Sequence, residues 1–227
     1  MSMKCNLRNG IIIGLVLIAL LSATQTGHVI AADGLNLPSD SVYIEVSNGT
    51  QSYFSTNLIG VPSGYDVTNG TYLGWCVDSR TTMSRSPDTH EVRLFSTLNP
   101  PEELANEQWD MVNYILNHKQ GSMLDIQQAM WYFVSIAGNY TPTRTMAWTI
   151  VNDTLENGNG FVPNEGQTIA VICYPLIFSH QPDVQVSIIE TMNVVPEFQP
   201  AIILSAFALV TIAAATLARN RKKLAPP

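Results

Sequence analysis

Two apolar segments, one at each end of this 227-residue chain, limit which residues can fold as a water-exposed domain. Near the N-terminus, Lys4 and Arg8 precede the apolar run 11–21, and small residues follow that run. This order of basic, apolar and small residues is typical of a secretory signal peptide, which we predict over residues 1–32. The domain after it therefore lies outside the cytoplasm.

The second apolar segment, residues 201–218, contains no charged side chain and is just long enough to cross a bilayer as a helix. The tail that follows it, residues 219–227, contains two arginines and two lysines. Such a basic tail belongs on the cytoplasmic side of a membrane. We therefore predict one extracellular domain at 33–193, anchored at its C-terminus through a linker at 194–200.

The linker contains Pro196, Glu197 and Phe198. This tripeptide, placed before an apolar run and a basic tail, resembles the PEF-type sorting signals of archaea and some bacteria. In those proteins a membrane transpeptidase removes the helix and attaches the protein to a lipid. A permanent membrane anchor is the alternative that the sequence leaves open.

Acidic residues dominate the predicted domain. Residues 33–196 contain 17 aspartates and glutamates and five basic residues, which are Arg80, Arg85, Arg93, Lys119 and Arg144. The resulting negative charge excludes a nucleic-acid partner, because the phosphate backbone requires a basic surface. It is consistent with a solvated outer surface and selects no activity.

The order of elements predicts an α+β domain. Short β-type runs lie at 42–46, 52–61, 71–77 and 91–96, and two more at 167–178 and 184–189. Between these groups the sequence predicts about three helices, at 99–119, 123–137 and 142–155, with Ser122 and Asp125 forming a capping box. We therefore expect a β-sandwich or barrel-like set of strands with an inserted helical block, followed by the transmembrane helix.

An exported domain can be glycosylated and can form disulfides. Four Asn-x-Ser/Thr sequons, at Asn48, Asn69, Asn139 and Asn152, are candidate glycosylation sites that we place on loops or element edges. Cys76 and Cys173 remain after signal removal, and an even pair in an exported domain suggests a disulfide by default. Metal-ligand spacing is missing among His90, His118, His180 and the cysteines, and no glycine-rich phosphate loop is present, so we predict no metal and no cofactor.

Two segments contain the candidate chemistry. Cys76 lies in a strand between Trp75 and Val77, where a buried thiol or half of a disulfide is the ordinary interpretation. Gln127 lies in the second helix within an apolar stripe, and a buried carboxamide there needs a hydrogen-bond partner. Hydrogen bonding to core backbone would be the ordinary structural role of such a side chain.

Together the two segments resemble the Cys-Gln thioester-forming domains of bacterial surface adhesins and pilus tips. Those domains have a cysteine after an aromatic residue in a strand, here Trp75-Cys76-Val77, and an aliphatic-Gln-x-Ala-aliphatic-Trp motif on a downstream helix. The second motif is matched here by Ile126, Gln127, Gln128, Ala129, Met130 and Trp131. The resemblance extends over about 42–190, although the Gram-positive wall-sorting tail and the isopeptide partner domains of that family are missing from this sequence.

The resemblance implies an internal thioester between Cys76 and Gln127, with Trp75, Val77, Ala129, Met130 and Trp131 around it. Gln128 is not at the matching position and is expected to be passive. An amine on a target surface, from a protein lysine, an amino sugar or a polyamine, would open the thioester and become covalently attached. Because the protein is consumed, it would not be an enzyme. The alternative function is a non-covalent structural envelope glycoprotein with a Cys76–Cys173 disulfide.

Overall fold

The computed structural model describes residues 35–135, 138–176 and 184–193. The strands of this part are β1 Val42–Asn48, β2 Phe54–Ile59, β3 Gly70–Cys76, β4 Thr89–Ser96, β5 Thr168–Pro175 and β6 Ser187–Met192. The helices are α1 Trp109–Asn117, α2 Met123–Phe133 and α3 Thr145–Asn157. The predicted order of strands, helices and strands is therefore confirmed.

The strands form a closed antiparallel barrel in the order β1-β2-β3-β6-β5-β4, in which β4 pairs with β1 to complete the ring. Of the two sheet arrangements expected from the sequence, the barrel is correct. Closure leaves the ring without a free edge for pairing with another chain. The three helices are inserted between β4 and β5.

The barrel has an apolar interior and a second apolar core on its outer face. Alternate residues such as Val42, Ile44 and Val46 of β1 are buried in the interior cluster, as expected when successive side chains point to opposite faces of a strand. The outer core joins residues such as Trp75 and Ile188 to the helical block. Strand β3 therefore contributes neighbouring side chains to both cores.

The first helix differs from its predicted extent. A helix was expected over 99–119, whereas the structure has a short 3₁₀ turn at Glu102–Leu104 and an α-helix only from Trp109. The indole N–H of Trp109 donates to the Leu104 carbonyl oxygen at 2.8 Å, which fixes the turn against the helix start. Tertiary packing of Trp109 thus divides a segment whose prolines and glutamates indicated one continuous helix.

The second helix begins as predicted. Ser122 accepts a hydrogen bond from the Asp125 backbone N–H, and the Asp125 carboxylate accepts from the Ser122 N–H at 2.8 Å, so the capping box is confirmed. The helix ends at Phe133 and not near 137. The third helix spans Thr145–Asn157, about three residues later at its start than the predicted 142–155.

Four predictions fall on residues outside the described part of the chain. These are the signal peptide at 1–32, the Pro196-Glu197-Phe198 motif, the transmembrane helix at 201–218 and the basic tail at 219–227. Among the described residues, no helix has the length and apolar character needed to cross a membrane.

Candidate functional site

The site forms where the end of β3 meets the middle of α2. Cys76 is the last residue of β3, and Gln127 lies on the buried face of α2. The Cys76 backbone N–H donates to Gln127 Oε1 at 2.9 Å, and Gln127 Nε2 donates to the Cys76 carbonyl oxygen at 2.7 Å. The two residues that the sequence motif paired, 51 positions apart, are therefore held together by two hydrogen bonds.

Burial makes this pairing rigid. The Gln127 side chain is completely buried and Cys76 is only 3% exposed. A buried carboxamide must satisfy its polar atoms within the protein, and Gln127 does so on one residue's backbone. Pairing with backbone is the ordinary role of a core glutamine. The unusual feature is that the backbone belongs to a cysteine, which brings the Gln127 side chain against a residue with a nucleophilic side chain.

The Cys76 sulfur has its own hydrogen bonds. The thiol contacts the Asp78 carbonyl oxygen at 2.8 Å and Gln185 Oε1, and Gln185 is held in place because its Nε2 donates to the Thr81 carbonyl oxygen at 2.8 Å. Gln185 precedes β6 and is itself buried. It was not predicted from the sequence, where one polar residue between Val184 and Val186 indicates an outward-facing strand position.

The same burial controls the acidity of the thiol. The pKa of Cys76 is raised to about 12, mainly by desolvation and to a smaller extent by the negative charge of Asp78. Hydrogen bonds to Gln185 and the Asp78 backbone, together with the nearby Trp131 indole N–H, lower the pKa and only partly offset the burial. A free thiolate is therefore scarce at neutral pH, while an uncharged acyl-sulfur bond would incur no such charge penalty.

A surface pocket of about 260 Å³ leads to the sulfur. Its wall includes Cys76, Gln185 and Trp131 beside the aromatic ring of Tyr53, and its rim is the loop after β3, from Asp78 to Arg85. Gln127 does not line this pocket. The pocket therefore borders Cys76, whereas the Gln127 amide is covered by protein.

Trp131 occupies the wall of the pocket with an unsatisfied donor. Its indole Nε1 is buried and makes no hydrogen bond of good geometry, yet the N–H is near enough to the Cys76 sulfur to lower the thiol pKa in part. The ring packs edge-on against Tyr53 with ring centroids 5.7 Å apart, and against Tyr140 at 5.1 Å. Trp131 therefore lies beside Cys76 in the pocket wall.

The other predicted neighbours lie in the core. Trp75, Val77, Ala129 and Met130 are all 1% exposed or less. They hold β3 against α2, and none of them lines the pocket. The Trp75 indole N–H donates to Glu190 Oε1 at 2.8 Å, which ties β3 to β6.

Gln128, one residue after Gln127, points elsewhere. Its Oε1 accepts hydrogen bonds from the backbone N–H groups of Thr143 at 2.9 Å and Arg144 at 3.2 Å, immediately before α3. The side chain therefore supports the start of that helix. The passive role expected for Gln128 stays a prediction.

The structure does not contain the Cys76–Cys173 disulfide of the alternative function, since both cysteines are free. The sheet register explains why, because Cys76 of β3 and Cys173 of β5 both pair with Ser187 of β6. Two strand spacings, about 9.5 Å, separate their backbones in the sheet. A disulfide rarely joins Cα atoms more than about 7 Å apart, so bridging them would require backbone movement.

The four sequons are all exposed. Asn48 ends β1, Asn69 immediately precedes β3 and Asn139 lies between α2 and α3, as expected for loops and element edges. Asn152 is an exception, because it lies within α3. Its predicted place on a loop or edge is wrong, and position 152 falls inside both the predicted helix at 142–155 and the observed one.

No family model, curated protein or solved structure matches this chain.

Proposed function

We propose that this chain is an adhesin-like protein of the cell surface, in which Cys76 and Gln127 form an internal thioester that captures an amine covalently. One observation carries the proposal: the buried Gln127 carboxamide is paired through both of its polar atoms with the backbone of Cys76. A second supports it, namely the pocket that leads from solvent to the Cys76 sulfur.

Formation of the thioester joins the Cys76 sulfur to the side-chain carbonyl carbon of Gln127. The C–S bond forms, the C–N bond breaks, and the thiol proton leaves with the nitrogen as ammonia. The Cys76 N–H, which donates to Gln127 Oε1, polarises the carbonyl and stabilises the developing negative charge on its oxygen. Gln185 orients the thiol by accepting its hydrogen bond.

Burial favours the product of this step. The unreacted site contains a thiol with a pKa near 12, and ionising it places a charge in a desolvated position. The thioester is uncharged, so it has no corresponding penalty. A thiolate of such high basicity is also a poor leaving group, which protects the thioester from slow attack by water.

Capture of an amine opens the thioester and frees the Cys76 thiol. A neutral amine enters the pocket lined by Cys76 and attacks the acyl carbon bonded to the Cys76 sulfur, forming a C–N bond as the C–S bond breaks. The proton lost by the amine goes to the Cys76 sulfur, and the partner remains attached to Gln127 through an amide. Each molecule reacts once, so the protein is a single-use reagent and not an enzyme.

The proposal includes a location. A signal peptide would export the domain, and the C-terminal segment would hold it at the extracellular side of the membrane, either as a retained helix or through a lipid after PEF-type sorting. An amine-bearing surface, such as one with protein lysines or amino sugars, would then be within reach. The acidic domain, with 17 acidic and five basic residues over 33–196, supports a solvated external position.

Intact-mass measurement of the purified protein, freed of glycans and kept without reductant, tests the proposal. We expect a mass lower than the calculated one by one ammonia, rising by one methylamine after treatment with that amine. An unshifted mass that methylamine leaves unchanged would refute the thioester. A mass lower by two hydrogens would indicate the disulfide of the alternative envelope glycoprotein.

Two adjacent glutamines provide a matched pair of variants. Gln127→Glu should abolish the ammonia loss, because a carboxylate resists attack by sulfur. Gln128→Glu should retain it, since a carboxylate there still accepts the two backbone hydrogen bonds before α3. Cys76→Ala should abolish amine capture altogether. Equal loss in both glutamine variants would indicate a folding defect instead.

A further inference from the structure

The rim of the Cys76 pocket is basic, in contrast to the rest of the domain. Arg80 and Arg85 both line the pocket, and they are two of only five basic residues in the acidic region 33–196. Both are exposed. The distribution of charge therefore places positive side chains where an incoming molecule would approach the sulfur.

Neither arginine is neutralised by an ion pair. Within the described ranges, the ion pairs are Lys119 with Glu190 and Arg144 with Asp125, and both lie outside the pocket. The Arg85 guanidinium lies 4.9 Å from the centre of the Phe54 ring and donates to the Asn48 side-chain oxygen, so its position is defined by neutral partners.

The pocket also contains one acidic residue, Asp78, whose carboxylate is satisfied locally. It accepts from the Arg80 backbone N–H at 2.9 Å and from the Thr81 hydroxyl at 2.5 Å. These contacts use the backbone of Arg80 and leave its guanidinium available. The charged side chains around the pocket thus have one excess positive charge.

We infer that Arg80 and Arg85 form an anion subsite beside the thioester, so that the preferred partner is an amine with a nearby carboxylate or phosphate rather than a polyamine. The inference rests on the proposed thioester function. A guanidinium pairs well with either anion, and positive charge at the rim repels a second ammonium group. The anion would hold the molecule at the rim while its amine reaches the acyl carbon that the thioester bonds to the sulfur of Cys76, a residue of the pocket lining.

Three amines of matched length test the inference on the full-length protein: gamma-aminobutyrate, n-butylamine and putrescine. The rate of adduct formation by each is followed by intact mass. We expect gamma-aminobutyrate to react at least about fivefold faster than putrescine, with n-butylamine between them. The factor is modest because exposed charge pairs contribute little free energy, although a charged cleft also speeds association. High salt should reduce this difference.

The double variant Arg80→Gln/Arg85→Gln should bring the three rates together. Arg93→Gln is the matched control, because Arg93 is an exposed arginine of β4 outside the pocket, and it should retain the preference. A faster reaction of putrescine, equal rates in the native protein, or a preference that survives the double variant would each overturn the inference. Missing ammonia loss before any amine is added would instead refute the thioester itself.

Discussion

At the scale of single residues, the proposed chemistry depends on which of two adjacent glutamines faces β3. Gln127 is buried against Cys76, while Gln128 is half-buried and hydrogen-bonds before α3. Successive residues on a helix differ by about 100° in direction, so a register shift of one residue would exchange these roles. The apolar stripe that buries one face of α2 therefore also determines which carboxamide meets Cys76.

Trp131→Phe should slow formation of the thioester. The indole N–H is near the Cys76 sulfur and lowers its pKa, so its loss removes a donor that stabilises negative charge on the attacking sulfur. We expect the rate to fall about threefold to tenfold, the effect of one net hydrogen bond. The thioester is first opened with ammonia, and its return after ammonia is removed is followed by mass.

The neighbouring aromatic residue supplies the control. Tyr132 is 37% exposed and lies away from the pocket, so Tyr132→Phe should not alter the rate. Stability should change little in Trp131→Phe, because the lost N–H has no good hydrogen-bond partner to begin with. An unchanged rate in Trp131→Phe would show that the indole is only packing material.

Cys173→Ala tests whether the second buried thiol takes part in the proposed chemistry of Cys76. Cys173 is fully buried, its pKa is raised to about 12 by desolvation, and it lies two strands from Cys76. We expect the variant to keep both the ammonia loss and the methylamine uptake, with about 1 kcal/mol lower stability from a small cavity. Loss of methylamine uptake in a folded variant would contradict an independent role for the two cysteines.

At the scale of elements, the sequence predicted the features that depend on residues close together in the chain. The capping box of Ser122 and Asp125 gave the start of α2 correctly, because both partners lie within one helical turn. The β-type runs also gave six strands, since alternation along a barrel strand is visible in the sequence. The pairing of Cys76 with Gln127 was not visible in either motif alone. It was suggested because the two motifs together resemble those of thioester-forming domains.

Apart from the pairing of Cys76 with Gln127, contacts between the segments around the site were not predicted. Gln185 reaches the Cys76 sulfur only because the segment before β6 lies beside the end of β3. The basic pocket rim was not predicted either, because Arg80 and Arg85 lie in a loop whose sequence has no regular pattern. The division of the first helix at Trp109 likewise follows from one tryptophan's hydrogen bond to the 3₁₀ turn.

Asp125→Asn should weaken the contact between α2 and α3 in a pH-dependent manner. Hydrogen bonds from Arg144 and Ser122 lower the Asp125 pKa from 3.8 to about 2. Because the folded pKa is the lower one, the stabilisation is complete well above pH 4 and is lost as the pH falls towards 2. We expect about 1–2 kcal/mol near neutral pH, allowing for solvent screening of the half-exposed Arg144.

Denaturant unfolding at several pH values measures this effect. The difference in unfolding free energy between the native protein and Asp125→Asn should be largest above pH 4 and should shrink as the pH approaches 2. Other carboxylates titrate in both proteins and cancel in the difference. A difference that stays constant with pH would mean that charge on Asp125 does not contribute.

At the scale of the whole molecule, the proposed thioester is a covalent link between the barrel and the inserted helical block. Cys76 belongs to β3 and Gln127 to α2, and the two are separated by 51 positions in sequence. A cross-link that closes a loop of this length restricts the unfolded chain by about 4 kcal/mol. The same bond that captures a partner would therefore also stabilise the domain before capture.

Opening the thioester with methylamine should accordingly lower the melting temperature. For a domain of this size, about 4 kcal/mol corresponds to a decrease of about 10 °C. Calorimetry of one preparation before and after treatment measures the change, and mass confirms the opening. Cys76→Ala has no link to open, so its melting temperature should be lower at the outset and indifferent to methylamine. If the native protein takes up methylamine and its melting temperature does not fall, the thioester does not stabilise the fold.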